Sequence, residues 1–157
     1  MRIGYGYDVH RLEAGRPLVL GGVTIPFELG LAGHSDADVL LHAIADALLG
    51  ACALGDIGQH FPDTSDEYEN IDSRILLRHV RDLVNDKGYV VGNVDGTVVA
   101  ERPKLADYTP EICQNIAADL NIGLSQVSVK ATTSEGISFE GQEKGISARA
   151  VALLIEA

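Results

Sequence analysis

The chain has 157 residues, 46% hydrophobic and 22% charged, enough to build a real core and most simply read as one domain over 1–157. Its formal net charge of −11 excludes a non-specific binder of nucleic acid or of anionic membrane; a small anionic substrate would need local cations, with metal ions the obvious source. No apolar run approaches the roughly 20 residues of a membrane span, and the N-terminus lacks the apolar segment of a signal peptide.

Met1 to Val9 is rich in Gly and Tyr and strand-like, and Arg16 to Pro26 reads as another strand or a hairpin. Gly30 to Ser35 reads as loop. From about Ala37 to Leu54 the chain is apolar on nearly every side, which marks a buried helix. Asp38, His42 and Asp46 recur at every fourth position and form one polar ridge along it. Buried polar groups are costly unless paired, hydrogen-bonded or bound to a metal, so something must satisfy that ridge.

Gly55-Asp56-Ile57-Gly58 breaks the helix, and a polar loop follows from Gln59 to Asn70. A second, amphipathic helix is expected from Ser73 to Lys87, capped by Asp72 or Ser73, with Gly88 past its end. Tyr89 to Ala100 reads as a strand interrupted by Gly92 and Gly96. Thr109-Pro110-Glu111 starts another helix, with Thr109 as cap and an end near Leu120. Gln126 to Ala131 alternates as a strand, Thr132 to Lys144 is a Gly-rich loop, and Gly145 to Ile155 is a last apolar strand. The interleaving lacks the regular alternation of a doubly wound fold, so the expected class is α+β, a mixed sheet with helices on one face. Cys52 and Cys113 fall in helical patterns without metal-ligand spacing; as reduced core thiols they point to a reducing compartment.

Asp8 and His10, two apart on a strand, share a face and can point at one centre. With His42 from the ridge they form a carboxylate-and-two-imidazole set suited to zinc or a similar divalent ion, with a coordination position left open for catalysis. Asp38 and Asp46 are candidates to orient the His42 ring. By spacing alone, a hydrogen-bonded core histidine is the more usual reading of such a residue on an apolar helix, and the two acids can also be read as hydrogen-bonded core groups. His60 and His79 read as bystanders. The Gly55–Asp63 stretch offers carboxylates that can accept from a polyol, Lys104 can pair with a phosphate, and Lys130 to Gly136 places hydroxyls, backbone donors and a carboxylate where a magnesium-bound phosphate would fit. None of these is a specific signal on its own.

Taken together, Gly4 to Leu12, Pro17 to Gly22 and Gly33 to His42 resemble the 2-C-methyl-D-erythritol 2,4-cyclodiphosphate synthases. So do Leu54 to Gly58, Phe61 to Thr64, Gly92 to Asp95, Pro103-Lys104 and Val129 to Thr133, and the resemblance runs in order along essentially the whole chain. It implies a homotrimer of the non-mevalonate isoprenoid pathway, with active sites between neighbouring subunits and no nucleic-acid or membrane partner. The implied substrate is 4-diphosphocytidyl-2-C-methyl-D-erythritol 2-phosphate, whose 2-phosphate attacks the β-phosphorus and expels CMP. The setting implied is bacterial cytoplasm, or plastid stroma after removal of a transit peptide, with a single activity.

Residue by residue, the resemblance assigns zinc to Asp8, His10 and His42, and a magnesium or manganese ion to Glu135. His34 and Thr133 match the transition-state-stabilising positions, and Ser35 adds a phosphate contact. Asp56, Ile57, Gly58, Phe61, Pro62, Asp63 and Thr64 match the methylerythritol pocket. Ala100, Pro103, Lys104, Leu105 and Ala106, with Thr132 and Thr133, match the cytidine-diphosphate pocket, and Ser134 and Phe139 are further substrate contacts. Gln142 stands where many relatives carry an Arg that helps bind an isoprenoid diphosphate on the trimer axis, so that side function is not carried over. Two other readings of the triad are a zinc-dependent phosphohydrolase, which would give a linear product, and a trimeric ligand-binding protein without turnover.

Overall fold

Alternation along the first strand places Ile3, Tyr5, Tyr7 and Val9 on one face and Gly4, Gly6, Asp8 and His10 on the other. The structure, a computed structural model describing residues 1–157, extends this strand well past Val9, as β1 (Arg2–Ala14). The glycine face is where the buried helix, α1 (Val39–Ala51), lies down. A Cβ at Gly4 would fall 1.8 Å from the Ala47 carbonyl oxygen, and one at Gly6 would fall 1.8 Å from that of Ala43. Only glycine permits an approach this close, backbone against backbone.

Before α1 come a hairpin, β2 (Leu18–Leu20) and β3 (Val23–Ile25), turning through Gly21 and Gly22, both at positive φ, and a short strand, β4 (Leu29–Leu31). After it come a four-residue helix, α2 (Ile57–His60), then α3 (Ser73–Asp86) and β5 (Tyr89–Val99). The chain ends with α4 (Thr109–Leu120), β6 (Val127–Thr132), a one-turn α5 (Ser138–Gly141) and β7 (Gly145–Glu156).

The main sheet has the order β4-β1-β7-β5-β6, antiparallel throughout except for the parallel pair β5 and β6. It is the expected mixed sheet. The inward positions of the central strand β7 are Ala148, Ala150 and Ala152, small side chains that let α1 settle on β7 as well as β1. Opposite them, Ile3, Tyr5, Tyr7, Val9, Val151 and Ile155 remain exposed. One face of the sheet is core; the other exposes these apolar residues together with Arg149, Lys130 and Asp95.

Several local expectations are corrected, among them the span of α1, which is Val39–Ala51 where Ala37 to Leu54 was expected. Leu29–Leu31 pairs with Leu12 to Ala14 and is strand, where residues 30–35 read as loop throughout. Gln59 to Asn70 contains the end of α2 and a 3-10 turn at Asp66–Tyr68, and the Gly-rich loop contains α5. The Thr109 hydroxyl does not cap α4; it donates to the Leu105 carbonyl at 3.2 Å, and no side chain caps that helix. Asp72 alone caps α3.

The glycine contact carries the first prediction. Gly6→Ala should cost roughly 3 kcal/mol of unfolding free energy by urea denaturation, because helix backbone must move to admit the methyl group. A loss below 1 kcal/mol would show that the contact is not tight.

Candidate active site

Strand and helix advance together. Gly4 lies under Ala47 and Ala51, and Gly6 under Ala43 and Ala47. Two strand residues cover roughly 6.6 Å and four helix residues roughly 6 Å, so one more step brings His42 over Asp8. Asp8 Oδ2 is indeed 3.0 Å from His42 Nδ1 and 3.0 Å from His10 Nε2. One potential ligand atom from each of the three side chains lies within 4.8 Å of the other two.

The protons show what this cluster is short of. His10 Nδ1 is 2.7 Å from the Ala32 carbonyl oxygen, which can only accept, so Nδ1 carries the hydrogen. In the neutral ring Nε2 therefore presents a lone pair. It is buried and makes no aligned hydrogen bond, although it lies close to the Asp8 carboxylate. A lone pair facing a carboxylate oxygen needs a proton or a cation between them. Burial alone would push the Asp8 pKa up; the attraction of the adjacent His10 and His42 rings wins and holds it at about 2. Burial would push His10 down, and Asp8 wins there as well, raising it. The site favours positive charge, and its nitrogen-and-oxygen donor set fits zinc.

The rest of the ridge is satisfied by backbone. Asp38 is fully buried and caps α1, accepting from Leu41 N at 3.1 Å, Gly21 N at 3.0 Å and Gly22 N at 2.8 Å. Burial, reinforced by nearby Asp36, raises its pKa to about 6 against those three donors. Asp46, raised by burial, accepts from Ile57 N at 2.8 Å. Of the two expected readings, both acids take that of hydrogen-bonded core groups; neither orients His42. That contact comes from Ser73, whose Oγ is 2.9 Å from His42 Nε2, backed by Asp36. Both were missed, because a serine after a capping aspartate reads as ordinary helix-start chemistry.

A cavity of about 400 Å³ opens over the cluster. Asp8, His10 and His42 line it together with Gly33, His34, Ser35, Ile57, Gly58, Phe61, Pro62 and Asp63. Asp56 lies just outside, capping α2 through Gln59 N, and Thr64 does not line the cavity. His34 Nε2 donates to the Ser65 carbonyl at 2.9 Å, and its own carbonyl accepts from Asn70 N at 2.7 Å, which ties the loop to this wall. The two bystander histidines support the loop: His60 Nε2 donates to the Leu54 carbonyl, and His79 packs edge-on against Phe61.

A second cavity, of about 360 Å³, is lined by Ala100, Pro103, Lys104, Leu105, Ala106, Thr132 and Thr133, with Glu101. Lys104 is exposed. Thr133 Oγ1 accepts from Glu135 N at 3.2 Å, and the Ser134 hydroxyl donates to the Ile137 carbonyl at 2.5 Å. Exposed Glu135 joins no group of three metal-ligating side chains, and neither it nor Ser134 or Phe139 lines either cavity. The cavities share no residue. Asp8 pairs with Ala148, Ala148 with Val98, and Val98 with Ala131, so three strand spacings, roughly 14 Å, separate the two walls within one chain.

Residues 1–155 match the YgbB family model. A 2-C-methyl-D-erythritol 2,4-cyclodiphosphate synthase of Geobacter metallireducens is 62% identical over 154 residues, 98% of each chain. The solved bifunctional IspDF of Campylobacter jejuni superposes with a TM-score of 0.96 at 40% identity, covering 99% of this chain and 42% of that longer one. A solved 2C-methyl-D-erythritol-2,4-cyclodiphosphate synthase in its CDP-bound form gives 0.90 at 38% identity, over 98% of this chain and 100% of that one.

The pKa shifts set a pH test on the metal-free protein. Asp8 is depressed from 3.8 to about 2, so its stabilisation is present above pH 4 and is lost as pH falls through about 2. The stability gap between wild type and Asp8→Asn should narrow by roughly 2 kcal/mol between pH 5 and pH 2 in urea titrations. A gap that does not change with pH would contradict the assignment.

Proposed function

The chain belongs to the YgbB family, and from that premise we infer that it carries out the reaction for which its synthase relatives are named. It converts 4-diphosphocytidyl-2-C-methyl-D-erythritol 2-phosphate into 2-C-methyl-D-erythritol 2,4-cyclodiphosphate and CMP. An oxygen of the 2-phosphate bonds to the β-phosphorus, and the bond from that phosphorus to the α,β-bridging oxygen breaks. CMP leaves with the bridging oxygen and its electron pair. Both reacting groups belong to one molecule, so positioning and charge neutralisation supply most of the catalysis.

The observation that carries this reading is the convergence of Asp8, His10 and His42 on the floor of the 400 Å³ cavity. Those three residues would hold zinc. Zinc there supplies Lewis-acid polarisation of the β-phosphate, and magnesium or manganese at Glu135 would neutralise charge on the diphosphate. Asp63, at the α2 end of the cavity, and Asp56, just outside it, would accept from the methylerythritol hydroxyls. His34, its Nε2–H given to Ser65, holds its ring against the cavity wall, where it would stand beside the reacting phosphates while Ser35 would contact one. Lys104, Thr132 and Thr133 hold the cytidine diphosphate, the class of ligand bound by the solved relative.

The two cavities form one site only across a subunit boundary, which a homotrimer provides. Two features support this: the roughly 14 Å between the cavities within a chain, and the exposed apolar residues Ile3, Tyr5, Tyr7 and Val9 on the outer face of β1, available for burial between copies. The one main sheet supports reading residues 1–157 as a single domain. No helix is long and apolar enough to cross a membrane, and the two cysteines are free; bacterial cytoplasm fits both facts and the bacterial relatives.

Purified protein supplied with zinc and magnesium should release CMP from the cytidyl substrate and give the phosphorus NMR pattern of a cyclic diphosphate. His42→Ala should lower the rate by orders of magnitude. A linear phosphate product, or no CMP, would overturn the reading. Composite sites make a separate prediction: unfolding and refolding His42→Ala together with Lys104→Ala should restore part of the activity that each lacks alone. No recovery in mixed trimers would place both residues in one subunit's site.

A further inference from the structure

We propose that Ser73, held by Asp36, is the positioning residue that fixes the tautomer and orientation of the metal ligand His42. The inference rests on the reading that Asp8, His10 and His42 hold zinc. Its warrant is a proton count around His42. Ser73 Oγ lies 2.9 Å from His42 Nε2 and donates its own hydrogen to Asp36 Oδ1. A hydroxyl has one hydrogen, so toward the imidazole Ser73 can only accept. His42 Nε2 therefore carries the ring proton. His42 Nδ1 is left with its lone pair toward Asp8 Oδ2, as His10 Nε2 is. Two imidazole lone pairs and a carboxylate oxygen then converge with no proton among them, which is the state a divalent cation requires.

Asp36 is in turn held in place. Its Oδ2 accepts from Ser73 N at 2.9 Å, its Oδ1 accepts from Asp38 N at 3.1 Å, and its own N donates to the Ile71 carbonyl at 3.2 Å. Ser73 is fully buried and His42 nearly so, which keeps water from replacing the contact. Ser35 Oγ is the other oxygen near His42 Nε2, at 3.3 Å, and already accepts from Ala37 N at 3.0 Å. The chain Asp36–Ser73–His42 therefore links the loop before α1 and the first residue of α3 to one ring nitrogen. Removing a partner of this kind behind a metal-bound histidine typically lowers metal affinity about 10- to 100-fold.

The test measures metal binding, with no substrate present. Zinc affinity is taken by competition with a chromophoric chelator, and the cobalt-substituted proteins are compared by visible absorption. Ser73→Ala should bind zinc about 10- to 100-fold more weakly than wild type and show a shifted, weaker cobalt band, with circular dichroism unchanged. If Ser73→Ala does not fold, Asp36→Asn serves instead; it keeps the shape and should show the same direction of change. Wild-type zinc affinity and cobalt spectrum in whichever of the two variants folds would overturn the role of Ser73 and Asp36. A wild-type protein that binds no zinc would overturn the metal reading itself, and this inference with it.

Discussion

The structure depends on one contact, the backbone of α1 lying directly on the backbone of β1 at Gly4 and Gly6. With no Cβ at either position, the Ala43 and Ala47 carbonyls come closer to the strand than any other residue would allow. The alanines of β7 extend the same low floor under the helix. This depth decides the chemistry. A helix carried one side chain further from the sheet would lift His42 away from Asp8 and His10, and three separate polar residues would replace one cluster. The apolar residues all round α1 follow from the same burial, because every side of the helix meets core.

Each polar group on α1 answers to a different neighbour, about 6 Å apart along the axis. Asp38 ties the helix start to the Gly21-Gly22 turn of the β2–β3 hairpin. His42 meets the strand. Asp46 holds Ile57 N, the first residue of α2, and so sets the α2 end of the cavity relative to the Asp8, His10 and His42 cluster. The electrostatics follow the same plan. A chain with net charge −11 builds a buried cluster of lone pairs that calls for positive charge, and a cation held there would satisfy the cluster itself.

Much of this was legible in the sequence, and the reason is periodicity. The i, i+4 recurrence of Asp38, His42 and Asp46 and the i, i+2 pair Asp8 and His10 each reduce to a shared face, so the triad could be read before any contact was known. The mixed sheet and the amphipathic α3 were equally readable, whereas α1 ends at Ala51, ahead of the expected break at Gly55. Three-residue β4 escaped because its pairing with β1 is decided by tertiary contact. The partners of Asp38 and Asp46 escaped too, since backbone N–H groups of distant turns carry no residue-type signature. Ser73 and Asp36 were hidden for a further reason: a helix start already accounts for an Asp-Ser pair, and only the fold brings it 2.9 Å from a histidine thirty-one positions earlier. The two-cavity layout was foreshadowed by the family resemblance alone; the strand register supplies its physical reason.

The central claim is that close helix-on-strand packing creates a metal centre from Asp8, His10 and His42. X-ray absorption at the zinc edge of the zinc-loaded protein tests it most directly. The account predicts one zinc per chain, with a four-coordinate shell of nitrogen and oxygen at about 2.0–2.1 Å and the outer-shell scattering of two imidazoles. A shell without imidazole scattering, a sulfur ligand at about 2.3 Å, or substoichiometric zinc would contradict it.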